Sequence, residues 1–305
     1  MKVKNKVEEK KVVDAAKDSE IKQERIENDR KLIMSKRYVR AIGCISDMHV
    51  GSYYSIFPEG FTIKPGIGIQ LNEGQKELLS YFWAFKQVCD DLNVDTFFVA
   101  GDMLHGQNRK EVGINLISTD LNIQKRAAEE LLKPILKGRK SYWVSGSGYH
   151  ASTPGHNPDE GLCESLGKEP DTYTQWLGTV ANLKIGKRIF NLSHGGSGAF
   201  IYRETAMARE IVFSKVAFAN GKLPKIDMFI HGHFHWFCYL HEQDAHFLQL
   251  PCWMAYEPIT LYTKNYTRFQ PDIGGAIILI DEEERILVWH FMYPLPHIAD
   301  ETREI

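Results

Sequence analysis

The chain has 305 residues, 43% of them hydrophobic and 25% charged, with a formal net charge of −2. That length allows one large domain or two small ones with a proper core. The near-neutral charge excludes a global electrostatic drive toward nucleic acid or anionic membrane, though not a local basic groove. The cysteines Cys44, Cys89, Cys163, Cys238 and Cys252 are odd in number and form no C-x-x-C pair. That excludes a thiolate zinc knot and reads as reduced thiols in a cytoplasmic protein.

Residues 1–37 stand apart: they contain no Gly, Pro or aromatic residue and are dense in mixed-sign charge. They read as a charged arm, helical or disordered, ahead of a single domain over 38–305. A helical arm would dock on a protein partner or on a second copy. The arm has no apolar h-region, so no signal peptide is expected. Apolar runs such as "GAIILI" are too short to span a bilayer, so no membrane is expected as a partner.

From residue 38 strands alternate with helices. "YVRAIGCISD" reads as a buried first strand ending at Asp47, "QKELLSYFWAFKQVCDDL" as a helix, and "DTFFVAGD" as a second strand ending at Asp102. "NLISTDLNIQKRAAEELLKPIL" reads as one helix from Asn115, and "KSYWVSGSG" as a third strand running into a Gly turn. The stretch after it, with His156, Asp159 and Glu160, reads as a solvated polar loop. "VANLKIGKRIFNLSH" is a hairpin about Ile185-Gly186-Lys187, "TAMAREIVFSKVAFAN" a helix and "IDMFIHGH" another strand, and the remainder is mostly β. An early βαβ rhythm followed by β-rich sequence predicts two packed sheets with helices outside.

The strand ends carry the chemistry. Asp47 and His49 follow the first strand, Gly101-Asp102 the second and His150 the third; His194 closes "FNLSH", and His233 and His235 close "MFIHGHFH". In α/β sheets ligands collect outside the carboxyl ends of strands. One such residue is an ordinary turn or core residue. Five consecutive strand ends point to a charge that the set neutralises, because burying these groups unpaired is costly. Carboxylate and imidazole without thiolate favour Mn, with Fe, Zn and Ni as alternatives. The ligands are too many for one tetrahedral ion, so two divalent ions sharing Asp102 fit better.

The order D-x-H, G-D, a Gly turn with His, a lone His and G-H-x-H resembles the calcineurin-like metallophosphoesterases over about residues 40–295. The section "LSHGGSG…IYRETAMAREI…IDMFIHGHFH" looks most like phage-encoded members. The resemblance implies a four-layer α/β/β/α sandwich of two mixed β-sheets. It implies a phosphoesterase in which metal-bound hydroxide attacks phosphorus. The first choice of substrate is a phosphodiester, DNA included; a phosphomonoester or phosphoprotein comes second, and a scaffold without turnover is the non-enzyme alternative. Asp47, His49 and His235 would bind the first ion, Asp102 would bridge, and His194 and His233 would bind the second.

One block departs from the family. Its usual Gly-Asn-His is replaced by Gly146-Ser147-Gly148-Tyr149-His150, with Ser147 where Asn is expected and His150 two residues late. Three readings stay open. His150 takes over as a second-metal ligand, or it keeps the acid role with Ser147 or water filling the ligand position, or the site is degenerate. His105 resembles the His that holds phosphate in repair nucleases, a second catalytic candidate beside His150. His231 is a supporting or packing residue, and His241, His246, His290 and His297 match no motif. Arg109, Arg203 and Arg209 are the available phosphate contacts, and "GGSG" at 195–198 gives backbone room.

Overall fold

The computed structural model describes residues 38–107, 113, 115–150, 157–195, 202–242, 244–255 and 270–296. The arm at 1–37, Arg109, His156, His297 and most of "GGSG" lie outside these residues.

The six-stranded sheet has the order β13-β12-β1-β4-β5-β6. Its strands are β1 (Tyr38–Ile45), β4 (Thr96–Val99), β5 (Lys140–Trp143), β6 (Tyr173–Trp176), β12 (Ile273–Asp281) and β13 (Ile286–Tyr293). Strands β1, β4, β5 and β6 run parallel, and β12 is antiparallel to both its neighbours. The five-stranded sheet has the order β10-β11-β9-β8-β7. It contains β7 (Val180–Ile185), β8 (Arg188–Ser193), β9 (Met228–His231), β10 (Cys238–Glu242) and β11 (Ala245–Gln249). Here β8, β9 and β11 are parallel, and β7 and β10 are antiparallel edges. The pair β2 (Thr62–Lys64) and β3 (Ile67–Gly68) forms a small separate ribbon.

Period-two alternation sorts each buried strand onto two cores. In β1, Ile42 and Cys44 face the layer between the sheets, with Phe98, Phe190, Leu192, Met228 and Ile230. Ala41 and Ile45 face the other way, into a core shared with helices α1 (Glu73–Asp91), α2 (Leu121–Leu136) and α3 (Pro158–Leu166). Helix α4 (Thr205–Ala219) covers the far face of the second sheet through Met207 and Ile211, against Phe229 and Phe247. The result is the expected four-layer α/β/β/α sandwich. Among the described residues no helix is long and apolar enough to cross a membrane.

Local signals explain where the elements begin. Asn72 and Gln75 form a capping box at the start of α1. Helix α2 starts at Leu121 rather than at Asn115, because the Asp120 side chain caps it by accepting the Asn122 N–H. The predicted loop after the third strand is in fact α3, with Asn157 as N-cap, Pro158 at its first position and Asp159 and Glu160 in its first turn. The hairpin turns at Gly186, whose φ of 59° needs the freedom of glycine.

His246 belongs to the framework. Its Nδ1 lies 2.6 Å from the Tyr239 hydroxyl, and its ring stacks on His241 at 4.0 Å. Burial first, then His241 and Arg188, pull its pKa down to about 4. The folded protein therefore holds it neutral while the unfolded chain protonates it near its ordinary value of 6.5. Its contribution is present above that value and is lost as pH falls toward 4. His246→Gln is expected to flatten the fall in urea midpoint of metal-stripped protein between these two pH values. An unchanged slope would exclude His246 as a source of acid sensitivity.

Candidate metal centre

The parallel direction of β1, β4, β5, β8 and β9 brings their carboxyl ends to one edge, where the loops are laced together. The Asp47 N–H donates to the Gly101 carbonyl at 3.0 Å, His49 N–H to Asp102 O at 3.0 Å and Gly232 N–H to His194 O at 3.2 Å. Asp47 Oδ2 accepts from Ser46 Oγ at 2.5 Å and from the His233 N–H at 2.9 Å. Its Oδ1 is buried with no hydrogen-bond partner among the described residues. That oxygen faces His235 Nε2 at 3.3 Å, His49 Nε2 at 3.6 Å and His194 Nε2 at 3.9 Å. Asp102 Oδ1 accepts the Ser147 N–H at 2.8 Å and Oδ2 accepts Ser147 Oγ at 3.1 Å. Oδ2 also lies 2.9 Å from His194 Nε2 and 3.8 Å from His150 Nε2.

Two histidines are aimed by their second nitrogen. His194 Nδ1 lies 2.6 Å from the Ala100 carbonyl, and His150 Nδ1 lies 2.6 Å from the His105 carbonyl. A ring N–H donated to a carbonyl fixes the tautomer and turns the Nε2 lone pair toward the cavity.

Backbone strain marks the same residues. Among described non-glycine residues, eight have positive φ: Asp47, His49, Asn93, Asp102, Asp171, His233, His235 and Glu284. Five of the eight are strand-end carboxylates or imidazoles of this edge. A left-handed non-glycine residue costs about 1–3 kcal/mol and persists where the surroundings over-determine it, typically at functional sites.

The electrostatics show groups gathered for a cation. Burial alone would raise the Asp47 pKa, yet His194, His235 and His49 hold it well below the carboxylate range. Asp102 is lowered in the same way by His150, His194 and His49 against the burial effect. Burial lowers His194, but Asp102 and Asp47 outweigh it and push it up to about 9. Burial and then His150 bring His49 down to about 4. Asp102 and Asp47 thus draw a proton onto His194, a charge that a divalent ion would supply in its place.

Among the described residues, three groups have ligand atoms within 4.8 Å of one another: Asp47, His49 and His235; Asp102, His194 and His233; and His49, His105 and His150. Facing nitrogens such as His49 Nε2 and His235 Nε2, 2.9 Å apart, together with Asp47 Oδ1, which makes no hydrogen bond among the described residues, are groups able to hold a metal ion. His150 sits nearest His49 and His105, with ring centroids 4.5 and 5.1 Å away, and is not grouped with His194 and His233. His105 is buried beside them.

Other sequence candidates fall elsewhere. His231 is buried in β9, its ring edge-on to Phe247 at 4.6 Å and its Nε2 3.5 Å from Glu210. Arg203 is engaged by Asp272 at 2.7 Å and lies over the Trp236 ring, so it braces the turn that carries His235 instead of standing ready for phosphate. Asp159 is no solvated loop residue. It is buried, and its carboxylate accepts the N–H groups of Met103 and Leu104. Sequence reading missed α3 and with it Asp159, although "NPDE" is a helix-start signal: an N-cap Asn, Pro at the first position and acids in the first turn. It also missed Asp272, whose Oδ2 accepts the Phe237 N–H and whose N–H donates to the His235 carbonyl. No local pattern announces that one.

No family model matches the chain, and no curated protein matches it. Among solved structures it is similar to an archaeal phosphodiesterase, at 13% identity and TM-score 0.39, over 82% of this chain and 99% of the other. It is similar to the phosphoesterase Yfce from E. coli, at 11% and 0.40, over 84% and 99%. It is also similar to zinc-complexed Vps29 from Entamoeba histolytica, at 12% and 0.37, over 83% and 98%. Likenesses this weak carry no weight for the site. The chain's own layers and strand order show the four-layer fold that its resemblance to the calcineurin-like metallophosphoesterases implies.

Proposed function

We propose that the chain is a metal-dependent phosphoesterase with a two-ion centre, acting on phosphodiesters, DNA included. The observation that carries this is the convergence of five strand ends on two carboxylates, with Asp47, His49, Asp102, His233 and His235 held in left-handed backbone. Asp47, His49 and His235 would hold the first ion, His194 and His233 the second, and Asp102 would bridge them. Manganese is the first choice, with Fe, Zn and Ni as alternatives. Such a pair supplies an activated water and neutralises phosphate oxygens during in-line displacement. The chain's own contribution is to orient and to exclude water. Ser147 fixes both oxygens of Asp102, Ser46 and His233 fix one oxygen of Asp47, and the carbonyls of Ala100 and His105 aim His194 and His150. His150 Nε2 faces the cavity, where it can take a ligand position or hold a proton for the departing oxygen.

The test compares bis-p-nitrophenyl phosphate with p-nitrophenyl phosphate in Mn²⁺, followed by single- and double-stranded DNA. Preference for the diester and cleavage of DNA support the proposal. Preference for the monoester moves it to a phosphomonoesterase. No turnover of any ester with any divalent metal leaves a binding scaffold, the reading that the altered turn at 146–150 favours.

His150→Ala separates its two roles. Nitrophenolate leaves without protonation, whereas a sugar alkoxide does not. A proton donor is therefore expected to cost about 10²-fold or more on DNA and little on the nitrophenyl diester. Equal losses on both, with fewer ions bound per chain, identify a ligand.

A further inference from the structure

Asp159 is 2% exposed and sits in the first turn of α3. A carboxylate there ordinarily serves its own helix. This one reaches out of the helix, with Oδ2 accepting the Met103 N–H at 3.3 Å and Oδ1 the Leu104 N–H at 3.2 Å. These are the two peptide groups that follow Asp102. β4 ends at Val99 and at Asp102 the backbone turns to a φ of 54°, so the next donors, beyond the ladder, need partners from elsewhere. The same segment is stitched on its other side to the loop after β1: Val50 N–H donates to Met103 O at 2.9 Å and His105 N–H to Val50 O at 3.1 Å. Helix α3 is itself anchored, with Leu162, Cys163 and Leu166 in the core beneath the first sheet. Burial first, then the neighbouring Asp102 charge, push the Asp159 pKa up to about 7. Packing alone would favour an apolar residue at this place.

We propose that Asp159 is a positioning residue for the bridging carboxylate: its two oxygens hold the peptides after Asp102 so that the Asp102 side chain reaches both ions. This rests on the two-ion reading above. Asparagine is nearly the same size but offers one acceptor, and its amide N–H₂ would face one of the two backbone donors.

The experiment uses the full chain and Mn²⁺. It measures ions bound per chain, the affinity of each ion, the exchange-coupled Mn pair by electron paramagnetic resonance, and the melting of metal-stripped protein. Asp159→Asn and Asp159→Ala are compared with Leu166→Ala, which loosens the packing of α3 in the core without touching Asp159. Either Asp159 variant that folds is expected to keep one ion near wild-type affinity. Its second ion should bind about 10- to 100-fold more weakly, the scale for loss of a ligand-orienting partner, with a diminished coupled signal. Leu166→Ala is expected to lower the melting temperature yet keep the coupled pair. A full-strength pair in a folded Asp159 variant overturns the proposal. So does a Leu166→Ala variant that loses the second ion as far, because the effect is then general destabilisation. Fewer than two ions in the wild type would remove the two-ion reading itself, an outcome visible before any variant is made.

Discussion

Asp102→Asn is expected to lower kcat/KM for bis-p-nitrophenyl phosphate by about a thousandfold or more, the scale on which loss of one preorganised charge is felt. Asp102 is buried, and its two oxygens have separate duties. Oδ1 takes the Ser147 N–H, while Oδ2 takes the Ser147 hydroxyl and lies 2.9 Å from His194 Nε2. An amide can keep the first bond. Its N–H₂ then replaces Oδ2, bringing donors and no charge to the point where His194 and His150 converge. The expected companion result is a loss of bound Mn²⁺ with little change in fold by circular dichroism. Hydrolysis at full rate in this variant would remove Asp102 from the centre and end the two-ion assignment.

Gly146→Ala is expected to disable the centre and destabilise the fold together. A Cβ on Gly146 would meet the Asp102 backbone nitrogen and carboxylate, with Cγ only 2.7 Å away. The opposing backbone cannot retreat freely, because a Cβ on Gly101 would in turn lie 2.6 Å from Gly146 Cα. The β4 and β5 loops therefore touch through two glycines. Overpacking of this kind costs about 1–3 kcal/mol where side chains can give way, and here backbone must move. A lowered denaturation midpoint with a matching loss of bound metal is the expected result. A variant that melts with the wild type and retains its bound metal would show that these loops are more pliant than their contacts imply.

Much of the architecture was legible because its signals are local. Runs such as "AIGCI" and "FFVAG" are apolar throughout, which is how strands buried on both faces read, and the carboxylates Asp47 and Asp102 follow them. The hairpin about Gly186 and the helices over 73–91 and 205–219 follow from turn chemistry and helical spacing. The boundary of α2 was misplaced because the apolar spacing runs on upstream of its true cap at Asp120. Helix α3 was missed because "HNPDEGLC" looks polar, and its burial depends on Leu162 and Leu166 meeting a core built by other segments.

The order of the chemistry-bearing blocks belongs to the sequence alone: which residue types close which strands, and in what succession. The division of labour among them came only with the tertiary structure. Asp47 presents a bare Oδ1 because a serine beside it and a peptide 186 residues away occupy Oδ2. His150 turns its Nε2 inward because the carbonyl of His105 takes its other nitrogen, and Asp159 reaches from a separate helix to serve the peptides after Asp102. Periodicity and end signals act over a few residues. A buried donor or acceptor at a left-handed turn is satisfied by whatever the rest of the chain brings to it.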